Sequence, residues 1–240
     1  MIDSGSNLRF VVGALCAALV LSAGAGARAQ GAKKATSKAA KPAVAQTTAA
    51  PAGPATPPAD SSPLADLKKS NTALKKVLQK QAPNWSPERD AKTCEVRKVV
   101  GQFLDFEELS HRALARHWDT LTPKQRTDFV ATLRDLVESN YIKQIHGQPD
   151  YDLKFDKETK TGSDATVNAT LVTTSKGKKV NVALEYKMVY KAGHWVVYDV
   201  ITDEQSLLEN YRAEFNKIIG KDGFDALLKR MRKKLEEKTE

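Results

Sequence analysis

Cysteine is almost missing: the chain has two in 240 residues, at positions 16 and 94. That excludes a disulfide-stapled scaffold and any zinc cluster built on cysteines. Histidine is scarce as well, with His111, His117, His146 and His194 the whole complement. No H-E-x-x-H pair occurs, and His111 and His117 stand six apart. On a helix that is about 600° of rotation, so they do not share a face. There is no G-x-S-x-G elbow, and the glycines at 177 and 193 serve turns rather than a phosphate loop. The longest apolar run, Phe10 to Leu21, holds 12 residues, against the roughly 20 needed to cross a bilayer as a helix. What remains is a chain with 41% hydrophobic residues, enough for a core, and a formal net charge of +9. The charge admits nucleic acid, an anionic membrane or a cell-wall polymer as partner and selects none of them.

Met1 to Ala29 reads as a secretory signal, with Arg9 before the apolar run and Ala27-Arg28-Ala29 as an A-x-A cleavage site before Gln30. Cys16 leaves with it. Cys94 is then the sole thiol, read as a small buried hydrophobe, since no His or second Cys is near it in sequence. Gln30 to Ser62 reads as a disordered linker: it holds five prolines and no aromatic residue, so it cannot offset the entropy of ordering. Its lysines 33, 34, 38 and 41 suit a solvated tether or contact with an anionic surface. Of 16 aromatic residues, 15 lie after position 63. The folded unit is therefore expected over 63–240, as one domain.

Its first half reads as helices. Ser62-Pro63 opens one, with Leu64, Leu67, Leu74 and Leu78 near one face, and Ser86-Pro87 opens a second ending near Gly101. Asp105 and Glu108 form a capping-box pattern for a third, through about Arg116. Thr122-Pro123 with Gln125 opens the longest, to about Ile145, with a stripe of Phe129, Leu133, Leu136, Val137, Tyr141, Ile142 and Ile145. The period then changes to two. Tyr151, Leu153 and Phe155 alternate with charged residues, followed by strands over 165–174, 180–190 and 194–201. Val180, Val182, Leu184, Tyr186, Met188 and Tyr190 share one face of the third strand. Helices over about 205–219, stopped at Gly220, and from Phe224 to about Glu237 close the chain. Four strands joined by short turns and flanked by helices make an antiparallel meander of the α+β class.

No catalytic constellation emerges. Asp199 is the one odd carboxylate, inside the apolar run Val196 to Ile201. It suits a structural partner for a backbone or Arg group, or a general acid or base. The basic clusters at 68–69, 75–76 and 229–234 read as solvated helix faces or as steering to an anionic membrane. Nucleic acid is not expected, since no strand carries an RNP-like aromatic pattern. The abundance of apolar sheet and helix surface leaves two readings open: an ordinary core, or a sheet and helices enclosing a cavity for an apolar ligand.

Three segments carry a resemblance. They are Asp105-Phe106-Glu107-Glu108-Leu109; Ala115-Arg116-His117-Trp118 with Leu121-Thr122-Pro123-Lys124-Gln125-Arg126 and Phe129; and Trp195 to Val200 with Ser206-Leu207, Asn210-Tyr211-Arg212 and Phe215. Together with Gly223-Phe224-Asp225-Ala226-Leu227-Leu228 they are similar to the MlaC, or toluene-tolerance, family of periplasmic phospholipid-binding proteins. One departure is local: this chain has Asp203-Glu204-Gln205-Ser206 where the family shows Glu-Gly-Val-Ser.

The resemblance implies a curved antiparallel sheet of about four strands packed on helices, with an apolar pocket for acyl chains and the headgroup outside. It also implies a periplasmic monomer that is not an enzyme, has no cofactor or metal, and exchanges phospholipid with an inner-membrane ABC transporter complex and an outer-membrane lipoprotein complex. Each exposed CH₂ costs about 0.8 kcal/mol, so two chains of about 15 methylenes need shelter worth on the order of 24 kcal/mol. The expected lipid-facing residues are Phe129, Leu133 and Tyr141 on the long helix, Val182, Leu184, Tyr186 and Met188 on one strand, and Tyr198 and Val200 on the next. Two other readings stand beside this one: an enzyme or small-molecule binder using Asp199, and an envelope adaptor using the basic linker.

Overall fold

The computed structural model describes residues 56–79, 95, 97–145, 151–175 and 178–237. The expected signal, the linker up to residue 55, Cys94 and His146 lie outside them. The linker's last residues prove to be tied into the fold. Lys160 Nζ donates to the carbonyls of Ala59 (3.1 Å) and Ser61 (2.8 Å), so the ordered unit begins a few residues before the expected position 63.

Helix α1 spans Pro63–Gln79. Ser62 caps it, its Oγ accepting from Ala65 N at 3.1 Å. Glu158, from the sheet, adds a second cap by accepting from Leu64 N at 2.8 Å. Helical residues 97–103 form α2, whose expected start near Ser86 lies outside the described residues. Helix α3 is Phe106–Leu114, with Asp105 Oδ1 accepting from Glu107 N and Glu108 N at 3.0 Å each. The reciprocal half of the expected box is not made: Asp105 N donates to Val197 O at 2.8 Å, and Glu108 Oε1 accepts from Arg112 Nε at 2.6 Å. The α-helix also stops two residues short of the expected Arg116, and Ala115–Thr120 tightens into a 3₁₀ turn. Helix α4, Pro123–Ile145, starts at a complete box: Thr122 N donates to Gln125 Oε1 (3.0 Å) and Gln125 N to Thr122 Oγ1 (3.3 Å).

The sheet is an antiparallel meander in the order β1-β2-β3-β4-β5. Its strands are β1 (Tyr151–Thr161), β2 (Asp164–Ser175), β3 (Lys178–Lys191), β4 (His194–Thr202) and β5 (Gln205–Ser206). The fifth was not expected. Gln205 and Ser206 look like a helix start, yet they pair with Thr202 and Ile201 before α5 begins at Leu207. Helix α5, Leu207–Asp222, runs past the expected stop at Gly220 and ends at Gly223, whose φ of 84° is a conformation that glycine adopts without strain. Gly220 is exposed with open space around it, so the helix tolerates it. Helix α6 is Phe224–Glu236.

The β4–β5 turn holds Asp203 and Glu204 at φ 47° and 64°, both in the left-handed region that two-residue hairpins demand and that glycine fills without strain. This is the place where the chain lacks the glycine of the pattern it resembles. Glu204→Gly is expected to stabilise the protein by about 1 kcal/mol, a rise in Tm of about 3 °C by thermal unfolding.

The two faces of the sheet are treated differently. Helix α1 lies on the inner face: Tyr151 OH donates to Asn71 Oδ1 (3.3 Å) and Lys75 Nζ to Asp152 Oδ1 (3.1 Å). From the far side of the sheet Trp195 Nε1 donates to Ser61 Oγ at 3.2 Å. Ser61 is thus bonded from β1 and from β4, strands that would stand about 14 Å apart in a flat sheet; the side chains of Lys160 and Trp195 converge over the inner face. Helices α3 and α5 cover the outer face at β4. This is why the alternation expected of a half-solvated sheet fails there: from Trp195 to Val200 every residue is buried. Helices α4, α5 and α6 form their own core, where Phe129 meets Phe215 at 5.3 Å and Phe224 at 5.9 Å.

Candidate functional site

Strand register assembles the inner face. Val182 stands opposite Leu171, Leu184 between Ala169 and Thr202, Tyr186 between Val167 and Val200, and Met188 between Ala165 and Val197. On β1, Leu153 and Phe155 continue the rows of Leu171 and Ala169. Above them lie Leu67 of α1, 1% exposed, and Phe103 of α2, whose ring meets Tyr186 edge-on at 5.9 Å. Burial follows a gradient along the strands. The Met188–Val197 end is closed at 0–1% exposure, under the α1 N-terminal turn. At the other end Tyr151, Leu153, Leu171 and Val180 of the sheet and Leu74 and Val77 of α1 are only partly buried. Half-exposed apolar side chains that adjoin a buried apolar interior are the kind of surface an apolar ligand covers.

Two phenols enter this interior. Burial pushes the Tyr151 hydroxyl up to about 12, while its oxygen donates to Asn71. Burial, and then the neighbouring Tyr151, push Tyr186 well above the usual phenol range. Both stay protonated donors near neutral pH. At the less buried end Lys75 lies 5.2 Å from the Tyr151 ring centroid and holds the Asp152 carboxyl below the usual carboxylate range through their hydrogen bond. Lys68 sits 5.7 Å from the Phe155 ring. Two lysines of α1 thus stand over aromatic rings of β1.

Of the nine residues expected to face a ligand, the structure brings five together on this face: Val182, Leu184, Tyr186, Met188 and Val200. Phe129 does not join them; it is fully buried among Phe215 and Phe224 in the helical core. Leu133, one turn on along α4, is fully buried as well. Tyr141 is on α4, and its side chain lies outside the described residues. Tyr198 shares a period of two with Val200, yet a bulge opposite Lys187 and Met188 interrupts the register at Tyr198. Its ring packs instead under the Arg112 guanidinium of α3 at 3.9 Å, and Arg112 in turn donates to Asp164 Oδ1 at 3.2 Å. Periodicity alone does not show a bulge. Conversely, Leu153, Phe155, Leu171, Phe103 and, on α1, Leu67 and Leu74 belong to this face without having been singled out as ligand-facing. Their signal is the pairing of β1 and β2 with β3.

Asp199 has a structural role in the observed contacts. Its Oδ2 accepts from Ser206 Oγ at 2.6 Å and its Oδ1 from Leu208 N at 2.9 Å, which fastens the start of α5 to β4. It lies 4% exposed on the side of the sheet opposite Val200, away from the apolar interior. Among the described residues no cluster of three His, Cys, Asp or Glu side chains is placed to hold a metal ion. No described helix is long and apolar enough to cross a membrane.

Known proteins are similar to this chain in sequence and in fold. Residues 68–233 match the family model described as MlaC protein. The Haemophilus influenzae protein named intermembrane phospholipid transport system binding protein MlaC is 21% identical over 138 residues, covering 57% of this chain. The chain spans 64% of that relative's length. The solved structure of a phospholipid-binding protein from Ralstonia solanacearum, in complex with a phospholipid, superposes with a TM-score of 0.63 at 20% identity. The match covers 75% of this chain and all of that one, so the α+β fold is common to both.

Proposed function

The chain belongs to the MlaC family, and we propose that it is a periplasmic carrier of phospholipid that takes acyl chains between the sheet's inner face and helices α1 and α2. The observation that carries this reading is the apolar face itself, closed under the α1 turn and rimmed at the other end by half-buried Leu153, Leu171 and Val180. Val182, Leu184, Tyr186, Met188 and Val200 line it. Lipid and face meet through non-directional apolar burial, which explains why no reactive group is needed. The names of its relatives support the cargo: one is an intermembrane transport binding protein, and the other holds a phospholipid. An export signal at 1–29 and exchange with inner- and outer-membrane complexes complete the proposal.

Native mass spectrometry on protein purified from the periplasm tests the cargo. We expect a bound mass of one phospholipid per chain, identified by extraction and re-acquired from vesicles after delipidation. A clean apo mass, with no uptake from vesicles of phosphatidylethanolamine and phosphatidylglycerol, would overturn the reading.

A further inference from the structure

Two helices carry runs of cations, and their surroundings differ. On α6 the run is neutralised where it stands. Arg230 pairs with Asp222, Arg232 lies 3.4 Å from Asp128 and Lys233 3.6 Å from Glu237, and Lys234 feels the charges of Glu214 and Glu237. Helix α1 has four lysines against one acid, Asp66. That acid is spent inside the fold, where its Oδ2 accepts from Trp195 N at 2.8 Å. Lys75 is paired with Asp152, and Lys68 has the Phe155 ring beside it. Among the described residues none of Lys68, Lys69 and Lys76 has an acidic partner.

These three lysines share one side of the helix. From Pro63 to Val77 the exposed residues of α1 are Ala65, Lys68, Lys69, Thr72, Ala73 and Lys76. At 100° per residue they fall in a stripe about 140° wide. Between the ammonium groups the stripe offers only alanine and threonine, so it is basic throughout and carries no acid. Buried Leu67 and half-buried Leu74 take the opposite, sheet-facing side.

Two features say what such a stripe meets. Its cations are all lysine. Arginine is the cation enriched where proteins meet, because its planar fork pairs with carboxylates two bonds at a time, whereas lysine is depleted there. A compact ammonium on a flexible stem suits the diffuse field of an anionic lipid surface. The stripe also adjoins apolar surface, since Val77 of the same helix and Tyr151, Leu153 and Val180 of the sheet are only partly buried. Lysines beside accessible apolar side chains are the composition of surfaces that rest on a bilayer.

We propose that the outward stripe of α1, through Lys68, Lys69 and Lys76, docks the protein on an anionic phospholipid bilayer. The inference rests on the carrier reading for the reason to meet a bilayer, and adds the surface that meets it and the charge it selects. Each lysine near a negative lipid surface strengthens binding about fivefold, so the three together are expected to contribute about a hundredfold.

The test is cosedimentation of protein purified from the periplasm with phosphatidylcholine vesicles that contain or lack phosphatidylglycerol. The linker has lysines of its own, so K68Q/K69Q/K76Q is compared with K33Q/K34Q/K38Q, which removes the same charge elsewhere. Wild type is expected to bind the anionic vesicles alone, and more weakly as salt is raised. The α1 variant should lose about a hundredfold in affinity and the linker variant less than about tenfold. Both should unfold within about 3 °C of wild type, since no ion pair is removed. Binding unchanged in the α1 variant, equal losses in the two variants, or binding indifferent to phosphatidylglycerol overturns docking through α1. Wild type that leaves anionic vesicles unbound overturns it too, with an acidic protein then the partner the stripe fits. Lipid extracted from the same purified protein is a separate readout: its presence keeps the carrier reading whatever the vesicles show, and its absence from protein that docks as expected overturns that reading alone.

Discussion

Leu171→Asp should empty the protein of lipid without unfolding it. Leu171 sits on β2 between Leu153 and Val182, half-buried at the less buried end of the inner face. In the lipid-free protein a carboxylate there can keep its water, so the expected loss of stability is below about 1.5 kcal/mol, the range of a substitution outside a sealed core. With acyl chains in place the same carboxylate is pressed against methylenes and must shed that water, which costs several kcal/mol. At 1.4 kcal/mol per tenfold, retention is expected to fall by at least about a hundredfold. Vesicle-uptake assays and thermal unfolding, run on the same sample, read the two effects apart. Wild-type lipid content in this variant would remove the inner face as the binding surface. Leu184→Asp, deeper between Ala169 and Thr202 and 8% exposed, sharpens the comparison. A folded but empty Leu184→Asp protein indicates a face lined by ligand, and an unfolded one indicates a dry core.

The sequence made the helical half legible wherever a side chain caps its own helix. Ser62, Asp105 and Thr122 each bond backbone amides two or three residues on, and those signals are local by nature. The box at Asp105 failed in its reciprocal half because Val197, some ninety residues later, takes the Asp105 amide. Such a partner has no local trace. The β-strands were visible through their period of two, and the register made most of the inner face recoverable from β3 alone. Three features escaped. The two-residue β5 is shorter than any periodicity can report. The bulge at Tyr198 turned one expected residue outward. Phe129 has the helical spacing of a core residue but not an address, and its neighbours Phe215 and Phe224 come from helices that the stripe cannot identify. Burial was thus readable residue by residue, whereas the choice between facing ligand and facing protein depends on which element lies opposite.

Asp199 puts that distinction to its hardest use, since a lone carboxylate in an apolar strand suits a base as well as a brace. Its contacts predict a brace. Removing it in Asp199→Ala deletes the acceptors of Ser206 Oγ and Leu208 N and leaves a buried amide unpaired where α5 begins. Hydrogen bonds to a charged group contribute about 1.5–3 kcal/mol each, so the pair is expected to stabilise the fold by about 3–6 kcal/mol. That corresponds to a fall in Tm on the order of 10 °C for a domain of this size. Asp199→Asn keeps a carbonyl for Leu208 N and turns an amide toward Ser206 Oγ, which is able to accept, so a smaller loss of about 1–2 kcal/mol is expected. In both variants the lipid bound per folded molecule should match wild type, because Asp199 and the inner face lie on opposite sides of β4. Thermal unfolding monitored by circular dichroism gives the first quantity, and native mass spectrometry below the transition gives the second. A general base would behave in the opposite way: Asp199→Asn would hold its stability while abolishing turnover of a substrate. If Asp199→Ala instead keeps wild-type stability, the carboxylate braces nothing, and an enzymatic role returns as the better account of a charge in that strand.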